Sequence, residues 1–329
     1  MQKSNNADAK SVPERLLSRV KDPTPDATLL VLSVFVLLQI FRLINFFITS
    51  KVVGSVLVIP FQIVIFLLPA YLFAKLKNPS SPIDYISRLR MKYPRAHQIP
   101  LMLSGAFTLI AGCLLIGSLF NGNGGASEGF TLYNAFSSGT DFGFWRTIFL
   151  IIAYAVVPAV CEELVFRAIL CREFEKHNVI FAIGASSVFF ALLHFNLSQF
   201  PVYLFSGILL ALSMYATGSV AVPMIMHLIY NVAGLFGQPF LNAFYEVTGG
   251  SSGLFLFVIF MAFMLGAALF CSFASKSYLR RASHSSMPDR PLIPTPDALI
   301  NAVSRVFLTP YSIAAVCFYI VVIIIYSVV

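Results

Sequence analysis

Two adjacent carboxylates, Glu162 and Glu163, end an apolar run that begins at Thr147 and carries no other charge. Ionisable groups inside an apolar segment of membrane length are costly, and they usually face a polar cavity and serve a function. Two histidines, His194 and His227, lie in later apolar segments. Carboxylates and imidazoles are common general acids and bases, so the pattern predicts a catalytic cavity at membrane depth.

Helix geometry separates the roles of the two glutamates. Glu163 and Arg167 are four residues apart with the acid first, which is the favourable order for an ion pair on one helical face. The side chain of Glu162 points about 100° away from that of Glu163, and no basic residue lies three or four positions after it. An unpaired carboxylate in apolar surroundings takes up a proton readily, as a general base must. The alternative is that both glutamates belong to one structural salt-bridge network.

A predicted antiparallel hairpin places His194 at the depth of Glu162. The turn is expected at 176–178, with Glu162 about 24 Å before it and His194 about 24 Å after it along the helices. His227 and Asn231 form an i, i+4 pair on a later segment. Both can donate hydrogen bonds to an oxyanion, although such residues also join transmembrane helices.

One mechanism accommodates these residues. Glu162 and His194 would bind and deprotonate a water that attacks a peptide carbonyl, while His227 and Asn231 hold the developing negative charge and Glu163 with Arg167 fixes the site. Glu162, His194 and His227 also match the ligand set of catalytic zinc. They come from three separate helices, without the His-Glu-x-x-His pattern that supplies two ligands from one helix, so no cofactor is predicted and zinc is kept as the alternative.

Composition predicts an all-α polytopic membrane bundle of about eight to nine transmembrane helices. Hydrophobic residues make up 58% of the chain and charged residues 11%, whereas soluble domains average about 25% charged residues. A spanning helix needs roughly 20 apolar residues. Pro60 and Pro69 predict a kink in the second segment. The candidate spans are 28–48, 52–74, 100–120, 147–170, 178–195, 201–217, 220–238, 254–275 and 310–329.

The net charge of +8 arises from basic residues that fall in the N-terminal tail, in 75–98, in 167–176 and in 276–305. These regions lie on one side if the spans alternate, and only Arg42, Lys51 and Arg146 are assigned to the other connections. The positive-inside rule then predicts a cytosolic N-terminus and explains the charge without a nucleic acid partner.

Four regions are predicted along the chain. They are a cytosolic tail (1–27), a multi-span membrane domain (28–275) with a catalytic core (145–238), a basic cytosolic linker (276–309) and a final transmembrane helix (310–329). Apolar residues recur at helical spacing after Asp297, which predicts an amphipathic surface helix within the linker.

Three motifs resemble those of the CPBP family, the CAAX-type and bacteriocin-processing intramembrane proteases also called Abi. They are Glu-Glu-Leu-Val-Phe-Arg at 162–167, Phe-Ala-Leu-Leu-His at 190–194 and His-Leu-Ile-Tyr-Asn at 227–231. The resemblance implies water activation at Glu162 and His194, an oxyanion hole at His227 and Asn231, a supporting role for Phe190 and a metal-independent mechanism.

The short interval between the two histidines is similar to the prokaryotic branch of that family. The resemblance therefore implies an intramembrane endopeptidase of a bacterial plasma membrane, acting on membrane-associated proteins or peptides rather than on prenylated CAAX substrates. A non-proteolytic scaffold or bacteriocin self-immunity protein is the alternative. A transporter would require internal pseudo-symmetry and paired broken helices, and the sequence shows neither.

Overall fold

The computed structural model describes residues 27–48, 51–87, 89–120, 143–283 and 294–328. These residues form helices and no strand, so the predicted all-helical membrane bundle is confirmed. The predicted tail (1–27) lies outside the described residues except for Ala27, which begins the first helix. The helices are α1 (Ala27–Phe47), α2 (Lys51–Lys77), α3 (Pro82–Ser87), α4 (Ile99–Phe120), α5 (Phe144–Phe174), α6 (Val179–Leu193), α7 (Phe200–Thr217), α8 (Ala221–Phe236), α9 (Gln238–Val247), α10 (Ser252–Ala282), α11 (Pro296–Phe307) and α12 (Pro310–Val328).

Most predicted spans correspond to one helix each. Among the described residues, seven helices are long and apolar enough to cross a membrane, and α8 with α9 makes an eighth if this bent pair is one span. The predicted span 178–195 is the exception, because α6 has only 15 residues. At about 22 Å it is shorter than a hydrocarbon core of about 30 Å. Pro60 and Pro69 both lie inside the single helix α2.

The centre of the bundle is formed by α4, α5, α7 and α8. Helix α4 packs along α10 and also contacts α7 and α8, while α6 packs against α7. Helices α1 and α2 pack on each other, and α2 contacts α5. The bend between α8 and α9 is 70°, and no second bent pair of this kind occurs in the part of the chain that the structure describes. The paired broken helices of a transporter are therefore not observed there.

Ion pairs fix the C-terminal end of α5, just before the turn to α6. Glu173 pairs with Lys77 at 3.0 Å and accepts a hydrogen bond from the hydroxyl of Tyr85 at 2.9 Å. Glu175 pairs with Arg90 at 2.9 Å. Asn178 then caps α6 by accepting from the backbone N–H of Ile180. The turn therefore lies where the sequence predicts it, and it fixes α5 against α6.

Part of the predicted linker is helical. Helix α10 continues to Ala282, and α11 occupies Pro296–Phe307, as predicted for the segment after Asp297. One face of α11 contacts α6, where the ring of Phe307 stacks on Phe189 at 5.2 Å. Large apolar side chains such as Ile300 are exposed on α11, as expected for a helix at a membrane surface.

Candidate active site

The two glutamates lie in an irregular stretch of α5. Residues Val157–Glu163 form an α-helical segment between two π-helical segments, Ile152–Val156 and Leu164–Leu170. A π-segment inserts an extra residue per turn and rotates the side chains that follow it, and such segments are frequent at functional sites. Glu163 is fully buried, whereas the Glu162 side chain borders a cavity.

Glu163 is the centre of a buried ionic cluster. Its Oε1 accepts a hydrogen bond from Nη1 of Arg167 at 2.8 Å and another from Nδ1 of His227 at 2.9 Å. The side chains of Glu163 and Arg167 are 0% and 1% exposed, so this is an internal ion pair and not a surface one. The predicted Glu163–Arg167 pair is confirmed. The contact with His227 was not predicted, because the residues are far apart in sequence.

Arg167 connects this cluster to α6 and α7. Its Nη2 donates to the carbonyl oxygen of Gly207 at 3.3 Å, and its guanidinium lies 4.3 Å from the centre of the Phe190 ring. Gly207 is required at this position because a Cβ there would lie 2.8 Å from Cβ of Ser187. The close approach of α6 and α7 therefore depends on this glycine, and it brings the Gly207 carbonyl within reach of the arginine.

Phe190 has the supporting position that the second motif predicts. Its ring meets the imidazoles of His194 and His227 edge to face, with centroids 5.1 and 6.0 Å apart. Together with the contact to Arg167, this makes Phe190 the apolar wall between the two histidines. Edge-to-face contacts of this kind restrict the rotation of both rings.

His194 lies immediately after α6 and not within it. Its Nδ1 donates to the carbonyl oxygen of Phe190 at 3.0 Å, which leaves Nε2 as the nitrogen that can accept a proton. The ring of Tyr203 stacks on the imidazole with centroids 3.6 Å apart and an angle of 14° between the planes. The imidazole is therefore held by a hydrogen bond at one edge and by an aromatic ring on one face.

The chain reverses at Phe195 to place His194 in this way. Phe195 has φ of 49°, in the left-handed region that bulky residues rarely adopt. Its ring is buried between Phe35 of α1 and Tyr319 of α12, with centroids 5.3 and 5.4 Å away. Packing against two other helices therefore stabilises a strained turn next to a candidate catalytic residue.

One cavity of about 370 Å³ brings the predicted residues together. Glu162, His194, His227 and Asn231 all line it. Oε2 of Glu162 is buried and has no hydrogen-bond partner. A buried carboxylate oxygen without a partner is costly, so this oxygen is suited to bind a group that enters the cavity.

Sequence reasoning missed several polar residues of this cavity. The prediction that Arg42 belongs to a connection between spans was wrong, because Arg42 lies inside α1 and lines the cavity. Its position within the apolar run 28–48 was the signal available in the sequence. The other polar lining residues that were missed are Gln62, Tyr154, Tyr203, Ser206 and Tyr230.

The described residues do not assemble a metal-ligand set. No three His, Cys, Asp or Glu side chains among them are placed to hold a metal ion. Nδ1 of His227 is directed at Glu163, so only Nε2 of this residue remains for the cavity. The zinc alternative, with Glu162, His194 and His227 as ligands, has no preformed geometry in the part of the chain that is described.

Residues 144–233 match a protein-family model described as "Type II CAAX prenyl endopeptidase Rce1-like". This confirms the resemblance to the CPBP family. The matched region runs from the first residue of α5 into α8 and contains Glu162, His194, His227 and Asn231. Comparisons with curated proteins and with solved structures found no match.

Proposed function

We propose that the protein is an intramembrane endopeptidase that hydrolyses peptide bonds of membrane-associated proteins or peptides. The observation that carries the proposal is the single cavity lined by Glu162, His194, His227 and Asn231. The family match over residues 144–233 supports a peptidase of the CAAX type. The apolar helices that surround the cavity support a substrate drawn from the membrane.

Glu162 and His194 are assigned the activation of water. The water donates one hydrogen bond to the unpartnered Oε2 of Glu162 and the other to Nε2 of His194. As the water oxygen attacks the peptide carbonyl carbon, its proton passes to the Glu162 carboxylate. The same proton is then delivered to the departing amine nitrogen when the C–N bond breaks, so the base is regenerated.

His227 and Asn231 are assigned the stabilisation of the oxyanion. The Asn231 amide donates directly, and Nε2 of His227 donates when the imidazole carries both protons. The Glu163 carboxylate accepts from Nδ1 at 2.9 Å, which leaves Nε2 as the His227 nitrogen available to the cavity. Arg167 holds the Glu163 carboxylate in place and thereby orients the histidine. Glu163 and Arg167 are thus positioning residues in this scheme.

The proposed mechanism uses no metal. We place the protein in the plasma membrane of a bacterium, with its N-terminus in the cytosol. The orientation is supported by the distribution of lysine and arginine along the chain. The bacterial setting is supported only by the short interval between His194 and His227. A non-proteolytic scaffold or bacteriocin self-immunity protein is the competing function, and it requires no base at Glu162.

The test is cleavage of a library of hydrophobic synthetic peptides by purified protein in detergent, with products identified by mass spectrometry. Wild-type protein is expected to generate new carboxyl termini that the Glu162→Gln variant does not generate. Glu246→Gln is the matched control, because Glu246 is an exposed carboxylate on α9 outside the cavity. The absence of new carboxyl termini with both wild type and Glu162→Gln would favour the scaffold function, as would an immunity phenotype that survives the substitution.

A further inference from the structure

Phe195 occupies a position where helices commonly end in glycine. Helix α6 ends at Leu193, His194 is its C-cap residue, and Phe195 follows with φ of 49°. Glycine is the usual residue for this left-handed conformation, because it has no Cβ and so avoids the steric cost. Among the described residues, Phe195 is the one non-glycine residue with a positive φ. The surrounding structure must therefore stabilise an unfavourable backbone conformation next to His194.

That stabilisation comes from the buried ring of Phe195. The ring meets Phe35 of α1 edge to face, with centroids 5.3 Å apart. It stacks on Tyr319 of α12 at 5.4 Å, with 29° between the planes, and Phe318 of the same helix meets it at 6.1 Å. Two of these three aromatic partners belong to α12, so the turn after His194 depends on the C-terminal helix.

Helix α12 lies outside the region that matches the family model, which ends at residue 233. It is held against α1 near both of its ends. The hydroxyl of Tyr326 donates to Oε1 of Gln39 at 2.7 Å, and the hydroxyls of Thr28 and Thr309 are 2.9 Å apart. The helix is thus a fixed support for the Phe195 ring, and the matched region does not supply it.

Helix α11 contacts α6 closer to its start. The ring of Phe307 stacks on Phe189 at 5.2 Å and meets Phe181 edge to face at 6.4 Å. The two C-terminal helices therefore contact α6 along its length and again just past its end, at Phe195. Both contacts fix the helix that leads into the second motif's histidine.

We propose that Phe195 and Tyr319 are positioning residues for His194, so that α12 contributes to catalysis from outside the matched region. The proposal rests on the proposed peptidase function, in which His194 binds the attacking water. Neither ring is assigned a contact with substrate. Their effect on the reaction passes through the backbone turn that carries the imidazole.

The physical link is the last turn of α6. The backbone N–H of Phe195 donates to the carbonyl oxygen of Leu192 at 3.1 Å, and Nδ1 of His194 donates to that of Phe190 at 3.0 Å. Without its aromatic partners, Phe195 is expected to return to a negative φ, because bulky residues avoid the left-handed region. The backbone at His194 would then rotate, and the imidazole would move relative to Glu162.

The ring of Tyr319 carries this effect and its hydroxyl does not. The hydroxyl oxygen is buried and has no hydrogen-bond partner among the described residues. A buried hydroxyl without a partner is unfavourable, whereas the stacked ring is favourable. Tyr319→Phe keeps the stacking and removes the unpartnered group, and Tyr319→Leu removes the ring. The two substitutions therefore separate positioning by the ring from any function of the hydroxyl.

The first measurement is kcat and KM for a cleaved library peptide, with the full-length protein in detergent. Phe195→Gly permits the positive φ but removes the ring, and we expect kcat to fall about 100-fold, as a displacement of about 1 Å can cause. Tyr319→Leu is expected to lower kcat about tenfold, with KM unchanged, and Tyr319→Phe to restore most of that loss. Tyr326→Leu is the matched control, since it makes the same replacement on α12 where the side chain contacts Gln39.

The second measurement does not require cleavage. Diethyl pyrocarbonate modifies accessible imidazoles, and mass spectrometry gives the rate for each histidine. We expect His194 to react at least about twofold faster in Phe195→Gly and Tyr319→Leu than in wild type, Tyr319→Phe or Tyr326→Leu. His97, which is exposed before α4, is the internal reference and should react equally in all of them.

Each outcome decides the proposal. Wild-type kcat and wild-type His194 modification in Phe195→Gly would overturn it, because the ring would then be dispensable. Equal losses in Tyr319→Leu and Tyr326→Leu would also overturn it, and this comparison carries the test where Phe195→Gly fails to fold. Wild-type protein that cleaves nothing would overturn the peptidase function alone, since the His194 modification rates still report whether the two rings position the imidazole.

Discussion

Nδ1 of His227 lies 2.9 Å from Oε1 of Glu163, the same oxygen that accepts from Arg167. This contact joins two of the three motifs through one buried carboxylate. It also distinguishes the adjacent glutamates, because Oε1 of Glu163 accepts from Arg167 and His227 whereas the Glu162 side chain borders the cavity. One glutamate therefore orients the site, and its neighbour is left to act on water.

The Glu163–Arg167 pair makes a prediction about stability. Removing one partner of a buried ion pair leaves an uncompensated charge and costs roughly 3–5 kcal/mol. Arg167→Met is therefore expected to lower the melting temperature of the purified protein strongly. The double variant Glu163→Leu with Arg167→Met should recover part of the loss. A melting temperature of Arg167→Met equal to that of wild type would contradict the buried pair.

Substitution of Asn231 is expected to lower the catalytic rate more than it lowers the stability of the protein. Its amide is assigned to the oxyanion, and removing one such donor typically costs about 10²–10³ in kcat. Asn231→Ala is expected to lose activity by that factor, with little change in KM or in the unfolding temperature. Measurement of kcat and KM on a cleaved library peptide checks this. A rise in KM alone would place Asn231 in substrate binding instead.

Tyr203 is expected to act as a positioning residue through His194. The ring lies on the imidazole with centroids 3.6 Å apart, so Tyr203→Phe keeps the stacking while Tyr203→Leu removes it. An aromatic contact of this kind contributes about 0.5–1.5 kcal/mol, or roughly a 2- to 13-fold change in rate. We expect kcat to fall for Tyr203→Leu and to stay near wild type for Tyr203→Phe. Equal losses in both variants would assign the function to the hydroxyl group.

Metal chelation should leave cleavage unchanged. No three potential metal-ligating side chains converge in the described part of the chain, and His227 uses Nδ1 for Glu163. Treatment with EDTA or with 1,10-phenanthroline, followed by dialysis, is therefore expected to preserve the cleavage rate. Loss of activity that added zinc restores would require a metal mechanism with Glu162 as a ligand.

The sequence was informative where interactions are local. The Glu163–Arg167 pair follows from the four-residue spacing of a helix, and the hairpin turn follows from polar residues between two apolar runs. The contact between Glu163 and His227 could not be derived in this way. It depends on how α8 packs against α5, which no spacing within one helix encodes.

Two predictions from the sequence are wrong near the site, and each has a physical cause. The apolar run 178–195 was assigned a full span, but the helix ends at Leu193 because the chain reverses at Phe195. Only the packing of Phe195 against other helices reveals that turn. Arg42 was assigned to a connection because charge counting treats every cation as external to the membrane, whereas the cavity provides a polar environment inside the bundle.

The most direct test of the central claim is the cleavage rate of the Glu162→Gln variant, measured at equal amounts of folded protein beside the Glu246→Gln control. Loss of a general base costs about 10²–10⁴ in rate. We expect at least a hundredfold loss for Glu162→Gln, at an unchanged unfolding temperature, with the control at wild-type activity. A Glu162→Gln protein that cleaves the same bonds at close to the wild-type rate would contradict water activation by Glu162.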